Sequence, residues 1–136
     1  MQQQLQTEEV GDAASKIAVF PKVRVALLAK QRSFQQQPGL VADGRDMGSV
    51  VFPKAKYKVY LTASADIRGK RRYKQLIEKG INANLRTVIT DIEQRDERDK
   101  NRSTSPLIIP NDSYVIDSSN LEINDVVDLV VNFLNN

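Results

Sequence analysis

The stretch Val41-Ala-Asp-Gly-Arg-Asp-Met-Gly48 decides the interpretation of this 136-residue chain, because it places two carboxylates and an arginine directly after an apolar segment. The apolar residues 40–42 predict a short buried strand. In an α/β domain, the carboxyl end of such a strand is where open sheets bind ligands. Gly44 lets the backbone turn at this point. Oppositely charged side chains on one turn favour a ligand that carries both a phosphate and a base.

A second cluster of arginine and aspartate occurs in Arg95-Asp-Glu-Arg-Asp-Lys-Asn-Arg102. On a helix, Arg95, Asp99 and Arg102 share one face and project together. Such a charge run is also typical of a solvent-exposed helix with surface ion pairs, and that alternative stays open. Phosphate recognition favours arginine, whose planar fork donates two parallel hydrogen bonds. A further group of arginines lies at Arg68, Arg71 and Arg72.

Composition limits the chemistry. A length of 136 residues predicts one domain over residues 1–136. Without cysteine or histidine, the chain has no disulfide, no thiolate, no zinc site of the usual kind and no histidine acid–base catalysis. No apolar stretch approaches the length of a membrane span, and the N-terminus does not resemble a secretory signal, so we expect a cytoplasmic location. The net charge of +3 fits a small polyanionic ligand as easily as nucleic acid. No pair of aromatic residues is interleaved with the basic ones in the manner of a protein that binds single-stranded nucleic acid.

Residue periodicity and capping signals predict strands that alternate with helices, which is typical of an α/β fold with a parallel sheet and crossover helices. Strands are predicted at residues 40–42, 57–62 and 113–117. Helices are predicted at residues 10–19, from Pro21 to a turn at 35–39, from the N-cap Ser64 to Gly80, from Asn82 or Asn84 toward Arg102, and at 123–134.

Two local features have competing interpretations. Asp43, just after the first predicted strand, could hold Mg²⁺ through water or could cap the following turn. Four aromatic residues are predicted to be core residues in preference to a base-stacking platform: Phe34, Phe52, Tyr57 and Tyr60.

The stretch from Val41 to Pro53 resembles the signature of bacterial cytidylate kinases, the nucleoside monophosphate kinases that phosphorylate CMP and dCMP. The stretch from Arg95 to Arg102 resembles their second signature. Shorter matches occur in Glu8-Glu-Val-Gly-Asp-Ala-Ala-Ser15, Pro21-Lys-Val-Arg24 and Arg71-Arg-Tyr-Lys-Gln-Leu76. The resemblance runs from about residue 7 to residue 136. It implies transfer of the γ-phosphoryl group of ATP, with Mg²⁺, to CMP or dCMP.

The resemblance also implies roles for the matched residues. Ser15, Arg24 and Asp46 correspond to cytosine contacts, Arg95 and Asp99 to ribose contacts, Arg45 and Arg102 to arginines near the acceptor phosphate, and Arg68, Arg71 and Arg72 to the lid that closes over ATP. Arginines of this kind offset charge on the transferred phosphoryl group. Uracil lacks the exocyclic amine that a carboxylate at Asp46 would bind, so we expect discrimination against UMP.

The chain also departs from the family. These kinases open with a strand, a G-x-x-x-x-G-K-[ST] phosphate loop and a helix, and no such pattern occurs here. Part of the CMP-binding insert is missing as well, and Gln6 stands where an arginine is usual. The expected fold is therefore a three-layer, P-loop-NTPase-like parallel sheet that lacks its first central strand and the phosphate-loop helix.

The absent strand would leave two strand edges without partners. We therefore expect a C-terminal part of a cytidylate kinase that is inactive alone and is loosely folded, rearranged or completed by another polypeptide. The alternative is a non-catalytic remnant that binds nucleotide or RNA.

Overall fold

The structure, a computed structural model, describes the backbone of residues 8–136 and side chains from residue 10 onward. Its elements in chain order are α1 (Glu8–Ile17), α2 (Pro21–Ser33), a π-helical turn (Met47–Val51), β1 (Val59–Thr62), α3 (Ala65–Glu78), α4 (Leu85–Asn101), β2 (Tyr114–Asp117) and α5 (Ile123–Asn135). The five predicted helices are confirmed, as are the strands predicted at 57–62 and 113–117.

Local sequence signals explain where the helices begin and end. Pro21 occupies the first turn of α2, where its missing N–H costs nothing. The Ser64 hydroxyl accepts the N–H of Ile67 at 3.2 Å and caps α3. Gly80 follows α3 with a φ of 72°, a conformation that glycine adopts without strain. The side-chain oxygen of Asn84 accepts the N–H of Thr87 at 3.1 Å and starts α4.

Strands β1 and β2 pair in parallel, with Val59 opposite Tyr114 and Thr62 opposite Asp117. The prediction of a parallel sheet is therefore confirmed. Within residues 8–136, this sheet has two strands. Leu61 on β1 remains more than half exposed.

The strand predicted at residues 40–42 is wrong. These residues form no regular structure, and Val41 is 100% exposed. A strand needs a neighbour that satisfies its N–H and C=O groups. In the part of the chain that the structure describes, the ladder runs between β1 and β2 and does not reach this segment. Asp43 consequently follows an exposed irregular segment and not a buried strand.

The described chain divides into two compact units, one of residues 8–54 and 97–108 and the other of residues 55–96 and 109–136. The second unit contains the sheet, and its buried apolar residues are Ala63, Leu76, Val88 and Ile116. The ring of Phe133 on α5 stacks on Tyr114 at 4.8 Å and meets Tyr57 edge-on at 5.8 Å.

The first unit has a different interior. Beside the apolar Val51, its buried residues are polar: Ser15, Asp46 and Asp99. Burial of this kind requires that each polar group find a partner. The prediction of aromatic core residues is wrong for Phe34 in this unit, which is 57% exposed with the Lys30 ammonium over its ring. It is also wrong for Tyr57 in the second unit, which is 39% exposed. Among the described helices, none is long and apolar enough to cross a membrane.

Candidate functional site

Ser15 and Asp99 form the centre of the polar interior of the first unit. Ser15 faces inward from α1 with 5% of its surface exposed, and Asp99 on α4 is 1% exposed. The Ser15 hydroxyl donates a 3.0 Å hydrogen bond to Oδ1 of Asp99. This contact joins two residues that are 84 positions apart in the sequence, and so brings the N-terminal segment to the second arginine cluster.

Two arginines also bind the Asp99 carboxylate. Nη1 of Arg45 lies 2.8 Å from Oδ2, and Nη1 of Arg102 donates to Oδ1 at 3.3 Å. Because two guanidinium groups share one carboxylate, the centre carries excess positive charge. Such a centre attracts an anion, and arginine forks suit the oxygens of phosphate.

Arg102 is held firmly in this position. Its side chain is 5% exposed, and its Nε donates to the carbonyl oxygen of Ser105 at 2.5 Å. Burial lowers the pKa of Arg102, while the nearby Asp99 carboxylate opposes that shift. A guanidinium keeps its proton at neutral pH, so the positive charge is permanent.

Arg24 and Asp46 make a second ion pair in the first unit. The Arg24 guanidinium on α2 donates to the buried carboxylate of Asp46 and, at 3.1 Å, to the carbonyl oxygen of Ala18. The Arg24, Asp46 and Arg45 charges all act electrostatically on Arg102. The two ion-pair groups are therefore neighbours.

The π-helical turn positions Asp46. Its carbonyl oxygen accepts the N–H groups of Val50 at 2.9 Å and Val51 at 3.2 Å. Arg32 on α2 then donates to the carbonyl oxygens of the same two valines, at 3.2 Å and 2.9 Å respectively. Sequence reasoning assigned no function to Arg32, and a π-helical turn has no distinctive sequence signal.

Six predicted residues therefore meet in the first unit: Ser15, Arg24, Arg45, Asp46, Asp99 and Arg102. The alternative of a solvent-exposed charged helix is wrong for Asp99 and Arg102, which are buried. Arg95 lies one helical turn before Asp99 on α4 and belongs to the second unit.

The three predicted lid arginines lie on α3 in the second unit, where each has a protein partner. Arg68 binds the carboxylate of Asp96 through both of its terminal nitrogens, at 3.2 and 2.5 Å. Arg72 donates to Oε1 of Gln75 at 3.4 Å.

Arg71 is fastened to the loop that follows β2. It donates to the Ser118 hydroxyl at 3.1 Å, to the Ser118 carbonyl at 2.5 Å and to the Leu121 carbonyl at 3.2 Å. Ser118 itself is buried and donates to the carbonyl oxygen of Thr62 at the end of β1. Arg71 therefore joins α3 to the ends of both strands.

Asp43 is exposed, and residues 8–136 contain no cluster of three or more acidic side chains that could hold a metal ion. A protein cage for a divalent cation is therefore not built from the described residues. Mg²⁺ in phosphoryl-transfer sites commonly uses one or two carboxylates together with substrate phosphates, and one exposed carboxylate fits that arrangement.

The chain is similar to known proteins over its whole length. The family model for cytidylate kinase matches residues 1–136, the whole of this chain. The chain belongs to the cytidylate kinase family. The cytidylate kinase of Aeromonas salmonicida is 54% identical over 127 residues, which is 93% of this chain. That of Colwellia psychrerythraea is 55% identical over 131 residues, or 96% of the chain. That of Methylococcus capsulatus is 58% identical over 121 residues, or 89% of the chain.

The chain spans only about half the length of these curated relatives, with matches that cover 55%, 58% and 54% of them respectively. Mixed helices and strands with a small parallel sheet agree with an α/β fold of the nucleotide-kinase kind.

Proposed function

We propose that the first unit of this chain is the acceptor-nucleotide site of a cytidylate kinase, which receives the γ-phosphoryl group of ATP on CMP or dCMP. The observation that carries this proposal is the network around Asp99. Ser15, Arg45 and Arg102 all bind one buried carboxylate. Polar groups in the interior are costly, and a site for a polar, charged ligand accounts for retaining them.

Base recognition is assigned to Asp46, Arg24 and Ser15. The Asp46 carboxylate accepts hydrogen bonds, so it suits the exocyclic amine of cytosine. Arg24 and Ser15 supply donors for the ring nitrogen and the carbonyl oxygen. Arg24 donates to Oδ2 of the Asp46 carboxylate in the described state, so a bound cytosine shares this carboxylate with Arg24 or displaces it. Uracil offers no amine and presents a carbonyl oxygen at this position, which cannot donate to the carboxylate and so costs affinity.

Sugar and phosphate recognition is assigned to the arginine-rich part of the network. Arg45 and Arg102 supply the excess positive charge that an acceptor phosphate would neutralise. Asp99 accepts hydrogen bonds and suits a ribose hydroxyl, with Arg95 beside it on α4. In this arrangement Arg45 and Arg102 also offset charge on the phosphoryl group in transfer.

The ATP side of the reaction is assigned to the second unit and to polypeptide beyond this sequence. Arg68, Arg71 and Arg72 are proposed lid arginines that neutralise phosphate charge and exclude water on closure. Asp43 is the proposed residue that would hold Mg²⁺ through water, and the ion would supply positive charge that offsets the charge of the donor phosphates.

Phosphoryl transfer requires a phosphate loop, and the 136 residues contain no G-x-x-x-x-G-K-[ST] pattern. We propose that the chain binds CMP but is inactive alone, and that another polypeptide segment supplies the loop together with a strand for the P-loop-NTPase-like sheet. The exposed Leu61 on β1 is consistent with such an addition.

Calorimetric titration of the purified chain with CMP and with UMP tests the proposal. We expect CMP to bind about ten- to a hundredfold more tightly than UMP, since a buried polar group left without its partner costs about 1–3 kcal/mol. Asp46→Asn should remove most of this preference, because an amide can also donate to uracil. The exposed Glu93→Gln on α4 is the control and should retain the preference.

Equal affinity for CMP and UMP would refute the assignment of the base site. Tight, salt-dependent binding of any RNA, without preference for CMP, would favour the non-catalytic alternative.

A further inference from the structure

Helices α1 and α4 are joined by a second side-chain contact beside the one between Ser15 and Asp99. Nη1 of Arg98 on α4 donates to Oδ1 of Asp12 on α1 at 2.8 Å. Asp12 lies three positions before Ser15, on the same side of α1, and Arg98 immediately precedes Asp99. The two contacts therefore involve residues that are close together on each helix, three positions apart on α1 and adjacent on α4.

Both oxygens of the Asp12 carboxylate have partners. While Oδ1 accepts from Arg98, Oδ2 lies 2.6 Å from Nζ of Lys16, one turn further along α1. Hydrogen bonds from Lys16 and Arg98 hold the pKa of Asp12 below its ordinary value. The carboxylate is consequently charged throughout the neutral range.

Two contacts restrict a helix in a way that one contact cannot. With the single hydrogen bond between Ser15 and Asp99, α1 could rotate about that point, and the Ser15 hydroxyl would then sample several directions. A second bond, three residues away, fixes the rotation of α1 about its own axis. The direction of the Ser15 hydroxyl is thereby set relative to Asp99.

We infer that Asp12 is a positioning residue for base selectivity: by binding Arg98 it orients Ser15, which in turn contacts the cytosine. This inference rests on the proposed function, because it assigns Ser15 to the base. Asp12 itself touches no substrate. Its removal should therefore weaken recognition of the base more than recognition of the phosphate.

The test uses the full chain and the variants Asp12→Ala, Asp12→Asn and Lys16→Ala. Each is titrated with CMP, UMP and inorganic phosphate, and hydrogen exchange is measured on the amides of α1. Lys16→Ala is the matched control, since it removes the other partner of Asp12 and retains the contact with Arg98. A double-mutant cycle with Arg98→Ala isolates the contribution of the pair.

For Asp12→Ala we expect at least a threefold fall in the CMP-to-UMP affinity ratio, unchanged affinity for inorganic phosphate and faster exchange in the α1 amides. Asp12→Asn keeps an acceptor for Arg98 and should retain part of the selectivity. Lys16→Ala should behave as the unmodified chain, and the cycle should show coupling between Asp12 and Arg98.

The outcomes separate the two proposals. If the unmodified chain prefers CMP and Asp12→Ala shows the same preference, the inference is wrong and the proposed function stands. If Asp12→Ala weakens CMP, UMP and phosphate equally, Asp12 has a general structural role and the inference is again wrong. If the unmodified chain shows no preference for CMP, the proposed function fails, and the claim for Asp12 fails with it.

Discussion

Arg45 and Asp99 form an ion pair of 2.8 Å in which the carboxylate is almost wholly removed from solvent. Arg45 follows an exposed irregular segment, and Asp99 lies in the last turn of α4. Ser15 and Arg102 bind the same carboxylate. The four side chains form the polar interior of the first unit, and the ligand site that we propose is built from the same groups.

Replacement of Asp99 by alanine should strongly destabilise the chain. The substitution leaves the Arg102 guanidinium buried without the carboxylate, and loss of one partner of a buried pair costs about 3–5 kcal/mol. Urea denaturation followed by circular dichroism measures the change. Glu93→Gln, an exposed change on the same helix, should leave the midpoint nearly unaltered. A loss below about 1 kcal/mol, the value for an exposed ion pair, would contradict the buried network.

Replacement of Gly69 by alanine should destabilise the chain even though alanine favours helices. A Cβ at this position would lie 2.3 Å from Cγ1 and 3.3 Å from Cα of Ile89 on α4. Overpacking typically costs about 1–3 kcal/mol, which outweighs the gain of about 1 kcal/mol from helix propensity. Thermal unfolding measures the sign of the change. Ile89→Ala in the same background should recover part of the loss, and a more stable Gly69→Ala variant would show that the helices are less close.

The pair of Lys58 and Asp112 should contribute a pH-dependent stability. The ammonium of Lys58, which is buried just before β1, lies 2.5 Å from the Asp112 carboxylate, and this hydrogen bond lowers the pKa of Asp112 from 3.8. Because the pKa of Asp112 is lower in the folded chain, its carboxylate stabilises the fold at any pH above the pKa that it has in the unfolded chain. This contribution is lost as the pH falls through the pKa of the folded chain.

The measurement is unfolding of the unmodified chain and of Asp112→Asn at pH 7 and at successively lower pH. The unmodified chain should be the more stable at pH 7, and the difference should shrink below pH 3.8. Asp128→Asn, an exposed change on α5, serves as the control. A difference that is constant with pH would show that the carboxylate charge is not involved.

Replacement of Arg71 by lysine should loosen the loop after β2, although the charge is retained. A single ammonium cannot reproduce the three hydrogen bonds to Ser118 and Leu121. We expect a loss of about 1–2 kcal/mol, as for one or two hydrogen bonds, and faster hydrogen exchange at residues 118–121. Lys74→Arg on the exposed side of α3 is the control. Unchanged hydrogen exchange at residues 118–121 would show that Arg71 does not hold this loop, and its proposed role as a lid residue would not compete with these contacts.

Much of the fold could be predicted from local signals. Pro21, Ser64 and Gly80 act within one helical turn of their own positions, so the beginnings and ends of α2 and α3 follow from neighbouring residues. The apolar segment at residues 40–42 was predicted wrongly as a strand because pairing is not local. Three apolar residues have the same appearance in a sequence whether or not a neighbouring strand satisfies their backbone.

The features of the site also differ in whether local sequence signals predict them. The spacing of Asp99 and Arg102 on one helix predicts that they project together. The resemblance to the cytidylate kinase family implies which part of the nucleotide each of them contacts. The contact between Ser15 and Asp99 joins distant segments, and no pattern within either segment predicts it. The pairing of Arg24 with Asp46 depends on the π-helical turn, whose hydrogen bonds have no characteristic residue requirement.

The most direct test of the central claim is an NMR titration of the isotopically labelled chain with CMP, with UMP as the comparison. We expect saturable chemical-shift changes, larger with CMP than with UMP, at the amides of Ser15, Arg24, Asp46, Asp99 and Arg102. Shifts confined to the second unit, or the same shifts with both nucleotides, would contradict the claim that the polar interior of the first unit is a cytosine-selective nucleotide site.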